Sequence, residues 1–178
     1  NVFFIKYNGL LGFAKKYKNI RIDYIGNLWH SDYNPNIYSN YLYNNLKLKE
    51  KYYLLVQKFL KKNSNYISLH IRRTDLVLCN VKLTTDDCFI NFIEENLNND
   101  KNMNVYIATD NRSTQQKFKE LFPNNIVFHS EIKKSTKLRK TKLDQAILDL
   151  YICVYSDKFK GSYYSSFSDL ILEMRKKK

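Results

Sequence analysis

One short segment, residues 66–75 (YISLHIRRTD), limits the fold of this chain more than any other. It starts as a mostly apolar run without Gly or Pro, which is the composition of a buried β-strand. The run stops at three charged residues, Arg72, Arg73 and Asp75. In open α/β sheets, ligands bind beyond the carboxyl ends of the strands, and the planar fork of Arg grips phosphate through two hydrogen bonds. The segment therefore predicts an anion site at a strand end, unless the two arginines are simply solvated.

The rest of the chain alternates between strand-like and helix-like patterns. Further strands are predicted at 2–7, 19–25, 103–109, 126–128 and 157–161. Helices are predicted at 46–62, 86–97, 111–122, 143–155 and 169–175. This alternation indicates βαβ units and predicts an α/β fold with a Rossmann-like parallel sheet flanked by helices. The basic, polar stretch 131–142 has no periodicity and is predicted to be an exposed loop.

The composition favours an anionic ligand without naming it. With 30 Lys and Arg against 17 Asp and Glu, the chain has a formal net charge of +13, which suggests an acidic partner. The lysines are dispersed rather than gathered in one block, so the charge alone does not decide between a nucleic acid and a nucleotide. A basic nucleic-acid-binding α/β domain, with Arg72, Arg73 and the 131–142 loop on backbone phosphates, stays open as an alternative.

Membrane spans and disulfides are not expected. No apolar run approaches the roughly 20 residues of a transmembrane helix. The cysteines, Cys79, Cys88 and Cys153, are odd in number and lack CxxC spacing. They are therefore interpreted as reduced thiols rather than as a disulfide framework or a zinc site. The sequence leaves the compartment open, with a preference for the cytoplasm.

Two features near the C-terminus add candidate ligand contacts. Asp149 lies within the apolar helix predicted at 143–155, where a buried carboxylate is costly unless it is paired. It is expected either to form a salt bridge with a lysine or to accept hydrogen bonds from a ligand. Ser165 and Ser166 precede the last predicted helix. Their hydroxyls and the free N–H groups of the helix start suit a phosphate, or they serve only as the helix cap.

Three segments together resemble a known family. HIRRTD (70–75), YIATD (106–110) and the stretch ILDLYICVYSDKFKGSYYSSFSDLILE (147–173) resemble the donor-binding half of the GDP-fucose-dependent fucosyltransferases. That superfamily includes the α-1,2- and α-1,6-fucosyltransferases and the protein O-fucosyltransferases. The resemblance implies a GT-B fold, with 63–178 as the C-terminal, Rossmann-like donor-binding lobe and 1–62 as a reduced N-terminal lobe.

The resemblance also implies which residues bind the donor and which are catalytic. Arg72 would hold the phosphates, and Arg73 matches a second arginine that the α-1,6 enzymes require, so these two are the expected catalytic residues. His70 and Asp149 would contact the guanosine part, and Asp75 would orient an arginine. The complete donor-binding set is expected to be His70, Arg72, Asp75, Asp110, Asp149, Ser165, Ser166 and Phe167.

The expected reaction is the inverting, metal-independent transfer of fucose from GDP-fucose to a glycan or protein hydroxyl. No cofactor is expected, because GDP-fucose is itself a substrate, and the resemblance implies a reaction without a metal. No nucleic-acid partner and no membrane span are expected. The SSFS segment continues into Asp169 and Leu170 rather than the Trp pair of the α-1,2 enzymes, which disfavours an α-1,2 linkage. No general base is identified, so a module that binds the donor without turnover also stays open.

Overall fold

The structure is a computed structural model that describes residues 48–73, 84–132 and 142–176. Several predictions lie outside these residues. They are the strands at 2–7 and 19–25, most of the loop at 131–142, and the roles of Asp75 and Cys79. The division of the chain at residue 62 stays a prediction.

The described residues form a four-stranded parallel sheet in the order β3-β2-β1-β4. The strands are β1 (Tyr66–Ile71), β2 (Asn104–Thr109), β3 (Ile126–Val127) and β4 (Phe159–Gly161). The central strand β1 ends in register with both neighbours, because Ile71 pairs with Thr109 and His70 pairs with Gly161. This sheet confirms the predicted α/β class and places the residues after β1 and β2 at one edge.

Helices cover both faces of the sheet. Within the described ranges they are α1 (Glu50–Lys62), α2 (Asp86–Leu97), α3 (Arg112–Leu121), α4 (Leu143–Tyr155) and α5 (Ser166–Arg175). The predictions for α2 and α4 were correct at both ends. None of these helices is long and apolar enough to cross a membrane.

The predicted start of the last helix at residue 169 is wrong. The hydroxyl of Ser165 accepts a hydrogen bond from the Ser168 backbone N–H, so the helix begins at Ser166. The start of α1 was also predicted too early, since residues 48 and 49 are not helical. Thr85 immediately precedes α2, and its side chain makes no capping hydrogen bond.

Alternate residues of the central strands point to opposite faces of the sheet, as strand geometry requires. On one face, which we call the α2 face, side chains from both strands form an apolar cluster with α2 and α3. On the other, the α4 face, side chains from the same strands meet α1, α4 and α5. The α2-face residues of the strands are Ile67, Leu69, Ile71, Val105 and Ile107. The α4-face residues are Tyr66, Ser68, His70, Tyr106 and Ala108.

The α4 face carries buried polar groups as well as apolar ones. Ser68 donates to the backbone carbonyl of Cys153 at the end of α4, and the Tyr66 hydroxyl donates to the carbonyl of Ile152 at 2.6 Å. Arg175, the last residue of α5, donates to the carbonyls of Cys153 and Ser156 at 2.9 and 2.8 Å. These bonds satisfy the carbonyl groups that the end of a helix leaves without partners.

Cys88 and Cys153 are both free thiols, as predicted for them. Cys153 is completely buried on the α4 face, whereas Cys88 is partly exposed on α2. Burial raises the pKa of the Cys153 thiol far above its usual range, so this residue stays neutral and packs as an apolar group.

Candidate functional site

A cleft lies at the carboxyl ends of β1 and β2, on the α4 face of the sheet. The space within this cleft, including the part that is open to solvent, is about 290 Å³. The lining residues are His70, Arg72, Thr109, Asp110, Ala146, Asp149 and Phe167. Five members of the predicted donor-binding set therefore meet in one place, although they come from four separate segments of the chain.

Arg72 is held at the cleft by two neighbours. Its Nε lies 3.5 Å from Oδ2 of Asp110, and its backbone N–H donates to the hydroxyl of Ser162 at 3.0 Å. The side chains of Arg72 and Asp110 are only 11% and 6% exposed, so water screens this pair weakly. Oδ1 of Asp110 also accepts the backbone N–H of Arg73 at 3.1 Å. One carboxylate thus contacts both of the described residues that follow β1.

Arg73 points to the other face of the sheet. Its Nη2 donates to Oδ1 of Asp86 in the first turn of α2 at 2.6 Å, and its guanidinium lies 5.8 Å from the centre of the Phe89 ring. Asp86 also accepts a hydrogen bond from Lys117 at 2.8 Å. Partial burial tends to raise the pKa of Asp86, but the hydrogen bonds from Lys117 and Arg73 outweigh it and lower that pKa. Arg73 does not line the cleft, and its catalytic role stays a prediction.

His70 is positioned by residues of α5. Its Nδ1 lies 2.8 Å from the Ser168 hydroxyl, and its ring packs against Phe167 with 4.8 Å between the ring centres. This arrangement needs a glycine beside it, because a Cβ on Gly161 would lie only 2.5 Å from the Cβ of Ser168. Gly161 is the register partner of His70, so β4 and α5 can approach the strand only where a side chain is missing.

Asp149 reaches the cleft from α4. Its Oδ1 accepts a hydrogen bond from the Tyr106 hydroxyl, which rises from β2 on the same face. The partner is therefore a tyrosine and not the lysine considered for a salt bridge. Burial raises the pKa of Asp149 to about 7, and the Tyr106 hydrogen bond lowers it in part. The carboxyl group is consequently divided between its charged and neutral forms near neutral pH.

The two serines of the predicted set do not line the cleft. Ser165 is buried and its hydroxyl is used as the cap of α5. Ser166 is exposed in the first turn of the same helix, one residue before Phe167. The preceding Tyr164 has a φ of 54°, a left-handed conformation that is uncommon outside glycine. The donor-binding roles of both serines stay predictions.

Sequence reasoning missed three hydroxyl groups of this site, those of Tyr106, Ser162 and Ser168. Each is buried and each bonds a residue of the predicted set or its backbone. Tyr106 could have been found from its position in β2. Ala108 is the register partner of His70, and Tyr106 lies two residues before Ala108, so its side chain is on the same face of the sheet. Across residues 48–73, 84–132 and 142–176, no three His, Cys, Asp or Glu side chains gather as they would around a metal ion.

Comparison with known proteins gives one family and one fold. A family model described as GDP-fucose protein O-fucosyltransferase matches residues 11–178. No curated protein matches significantly in sequence. The crystal structure of POFUT1 in its apo form (crystal form I) is similar, with a TM-score of 0.53 and 16% sequence identity. The match covers 80% of this chain and 47% of that chain, so the chain spans about half the length of POFUT1. These findings confirm the resemblance and the GT-B type of fold.

Proposed function

The chain belongs to the GDP-fucose protein O-fucosyltransferase family, and we propose that its cleft binds GDP-fucose and that the protein transfers the fucose to a hydroxyl group. One observation supports this most strongly. Arg72, Asp149 and the ring pair of His70 and Phe167 converge on a single cleft at the strand ends. A guanidinium, a carboxylate and an aromatic surface are the groups that a nucleoside diphosphate needs for its phosphates and its base.

The phosphates are assigned to Arg72. In the structure its guanidinium lies at the cleft beside Asp110, with 3.5 Å between Nε and Oδ2. Ser166 stands in the first turn of α5, where the backbone N–H groups have no acceptor within the helix and the dipole favours an anion. Arg72 and this helix start together would bind a diphosphate without a metal ion.

The same groups would lower the barrier to transfer. When the bond between sugar and phosphate breaks, the sugar gains oxocarbenium character and the departing GDP gains negative charge. Donors that are already fixed where this charge develops stabilise the transition state more than the ground state. The acceptor hydroxyl attacks the anomeric carbon from the side opposite the GDP, so the configuration of that carbon is inverted. We assign the acceptor to a protein hydroxyl, following the family, with a glycan hydroxyl as the other outcome.

Thermal unfolding with GDP, GDP-fucose, UDP and ADP tests the ligand. A nucleotide at 100 times its dissociation constant adds about 2.7 kcal/mol of stability, so GDP and GDP-fucose should raise the melting temperature clearly more than UDP or ADP. Chelation of divalent ions should leave this shift unchanged. Equal shifts with all four nucleotides, and binding that falls steeply with salt, would instead favour the nucleic-acid-binding alternative.

Release of GDP from GDP-fucose tests the reaction. The proposal expects GDP and transferred fucose in the presence of an acceptor, or slow hydrolysis in its absence. Tight binding of GDP-fucose with no release of GDP under either condition would identify a module that holds the donor without turnover.

A further inference from the structure

We propose that Tyr106 is a positioning residue for the nucleotide base: it holds one oxygen of Asp149 and leaves the other directed at the cleft, where it accepts hydrogen bonds from guanine. This inference rests on the proposed function, because it takes GDP as the ligand. It adds a residue of β2 to the recognition of the base, and it makes the affinity for GDP depend on pH.

The Tyr106 hydroxyl is fixed in place by the sheet. Tyr106 lies in β2, which pairs with β1 and β3, and its side chain is completely buried. Its ring also packs edge-on against Phe59 of α1, with 5.1 Å between the ring centres. A tyrosine held on so many sides cannot follow a moving carboxylate, so it is Asp149 that is oriented by Tyr106. Within the described part of the chain, Tyr106 is the hydrogen-bond partner of Asp149.

The chemistry of guanine requires the charged form of this carboxylate. Guanine presents two neighbouring donors, its ring N1–H and its exocyclic amino group, and an ionised carboxylate can accept both. A protonated carboxyl offers a donor of its own and accepts poorly. Burial raises the pKa of Asp149 to about 7, and the hydrogen bond from Tyr106 opposes this rise. Tyr106 therefore increases the fraction of Asp149 that can bind guanine at neutral pH.

Other charged and titratable groups face the same cleft. His70 lies in β1, Arg72 is the first residue after that strand, and Asp110 follows β2. Arg72 and Asp110 form an ion pair with each other. On α4 itself, Cys153 lies one turn after Asp149, and burial keeps its thiol neutral by raising its pKa. Of these groups, His70 is the one whose ordinary pKa lies near that of Asp149, so a test must separate the two.

The test is the affinity of the full chain for GDP, measured by calorimetry between about pH 5.5 and pH 8.5. If only ionised Asp149 binds the base, the wild-type protein should bind GDP about tenfold more tightly at about pH 8 than at about pH 6. In Tyr106→Phe the midpoint should move to higher pH, and GDP should bind several-fold more weakly at neutral pH.

Tyr66→Phe is the matched control. Tyr66 is also a buried tyrosine of the α4 face, and its ring also packs edge-on against Phe59, at 5.5 Å. Its hydroxyl, however, donates to the backbone of Ile152 and not to Asp149. Tyr66→Phe should therefore lower stability without moving the pH midpoint of GDP binding.

Two further measurements separate Asp149 from other titrating groups. ADP carries the same phosphates, whose second ionisation is near pH 6, so it reports the pH dependence that does not come from the base. Asp149→Asn retains His70 but cannot ionise, and its weakened binding of GDP should follow the ADP profile. A GDP profile that stays steeper than the ADP profile in Asp149→Asn would assign the effect to His70 and overturn the inference.

The outcomes are distinct. If the wild-type chain binds no GDP, the proposed function fails and this inference falls with it. If GDP binds selectively but Tyr106→Phe has the same pH profile as Tyr66→Phe, the inference alone is overturned. If Tyr106→Phe does not fold, carbon-13 NMR of the wild-type chain decides. The chemical shifts of the Asp149 carboxyl and of the Tyr106 ring should change with one midpoint, that of Asp149, and GDP should lower this midpoint. Separate midpoints, or a midpoint that GDP leaves unchanged, would contradict the role of Tyr106.

Discussion

The two faces of the sheet are made from alternate residues of the same strands, yet they differ in chemistry. On the α2 face, Ile67, Leu69 and Ile71 of β1 are buried among apolar side chains of α2 and α3. On the α4 face, Ser68 and His70 of the same strand form hydrogen bonds with α4 and α5. The first face stabilises the sheet by removing apolar area from water, whereas the second presents polar groups at a cleft.

The difference extends past the end of β1. Arg72 continues the alternation toward the α4 face and reaches the cleft, while Arg73 continues it toward the α2 face and reaches Asp86. Two adjacent residues of one type therefore have separate surroundings. In the proposed function, Arg72 contacts the ligand, whereas Arg73 is held on the other face by Asp86.

The largest expected effect concerns Asp149, a partly buried carboxylate on the α4 face. Its pKa is about 7 in the folded chain, whereas an Asp in an unfolded chain titrates near 3.9. The folded state thus keeps a proton that the unfolded state loses, and this stabilisation is complete below about pH 4 and lost as the pH rises through about 7. Relative to Asp149→Asn, the wild-type free energy of unfolding should fall by at most about 4 kcal/mol between about pH 4 and pH 8.

Urea unfolding of both proteins at each pH measures this difference. Comparing the two cancels the contribution of groups such as Asp86, whose lowered pKa gives stability that is lost as the pH falls. A difference that stays constant with pH would mean that Asp149 has the pKa of an exposed Asp and that its surroundings on the α4 face do not raise this pKa.

The second prediction separates the two arginines. Arg72→Ala should lower the rate of fucose transfer by about 100- to 1,000-fold and weaken GDP binding, because a fixed donor to the diphosphate is lost. Arg72→Lys keeps the charge but not the planar fork and should recover only part of this loss. Arg73→Ala should leave GDP affinity within about threefold of wild type, since a residue on the opposite face is nearly independent of the ligand.

Calorimetry measures the affinity of each variant for GDP, and a transfer assay measures its rate of fucose transfer. Equal losses of GDP affinity in Arg72→Ala and Arg73→Ala would show that both side chains reach the nucleotide. The separation of the two faces would then not hold beyond the end of β1.

The smallest effect is expected at Gly161, where α5 approaches β4 too closely to admit a side chain. Gly161→Ala places a Cβ 2.5 Å from the Cβ of Ser168, so α5 must shift, at a cost of about 1–3 kcal/mol of stability. GDP affinity should fall as well, because Ser168 positions His70. Adding Ser168→Gly removes the clash, but it also removes the hydroxyl that positions His70. The double variant should therefore regain part of the stability, as measured by urea unfolding, without regaining GDP affinity.

Much of this architecture follows from local sequence patterns. The ends of α2 and α4 were predicted correctly, because acidic residues in the first turn of one and apolar residues on most faces of the other are local signals. The strand ends of β1 and β2 were predicted from apolar runs that stop at Arg72 and Asp110, and parallel pairing then brings those ends together. Asp149 was singled out because a lone carboxylate in an apolar helix needs a partner.

The parts that sequence reasoning missed depend on distant contacts. The sequence of β1 does alternate, with Ile67, Leu69 and Ile71 on one face, but all six residues of the strand are buried. The alternation therefore separates two packed faces, not a core face from a solvent face, and it does not show which helices cover each one. The partner of Asp149 is 43 residues away in the chain. The start of α5 depends on which of several neighbouring serines caps it, and the sequence does not distinguish Ser165 from the others.

The alternation in β1 has a consequence for how such a chain can change. Whether an arginine lies at the cleft beside Asp110 or on the opposite face beside Asp86 depends on whether it is an odd or an even number of residues past the strand, and not on the arginine itself. Deleting or inserting a single residue between Leu69 and Arg72 would exchange the surroundings of the two guanidinium groups at once. Single substitutions between Leu69 and Arg72 leave the two faces as they are, whereas a change in the length of this segment exchanges them. We therefore expect its length to vary less among related chains than its residues do.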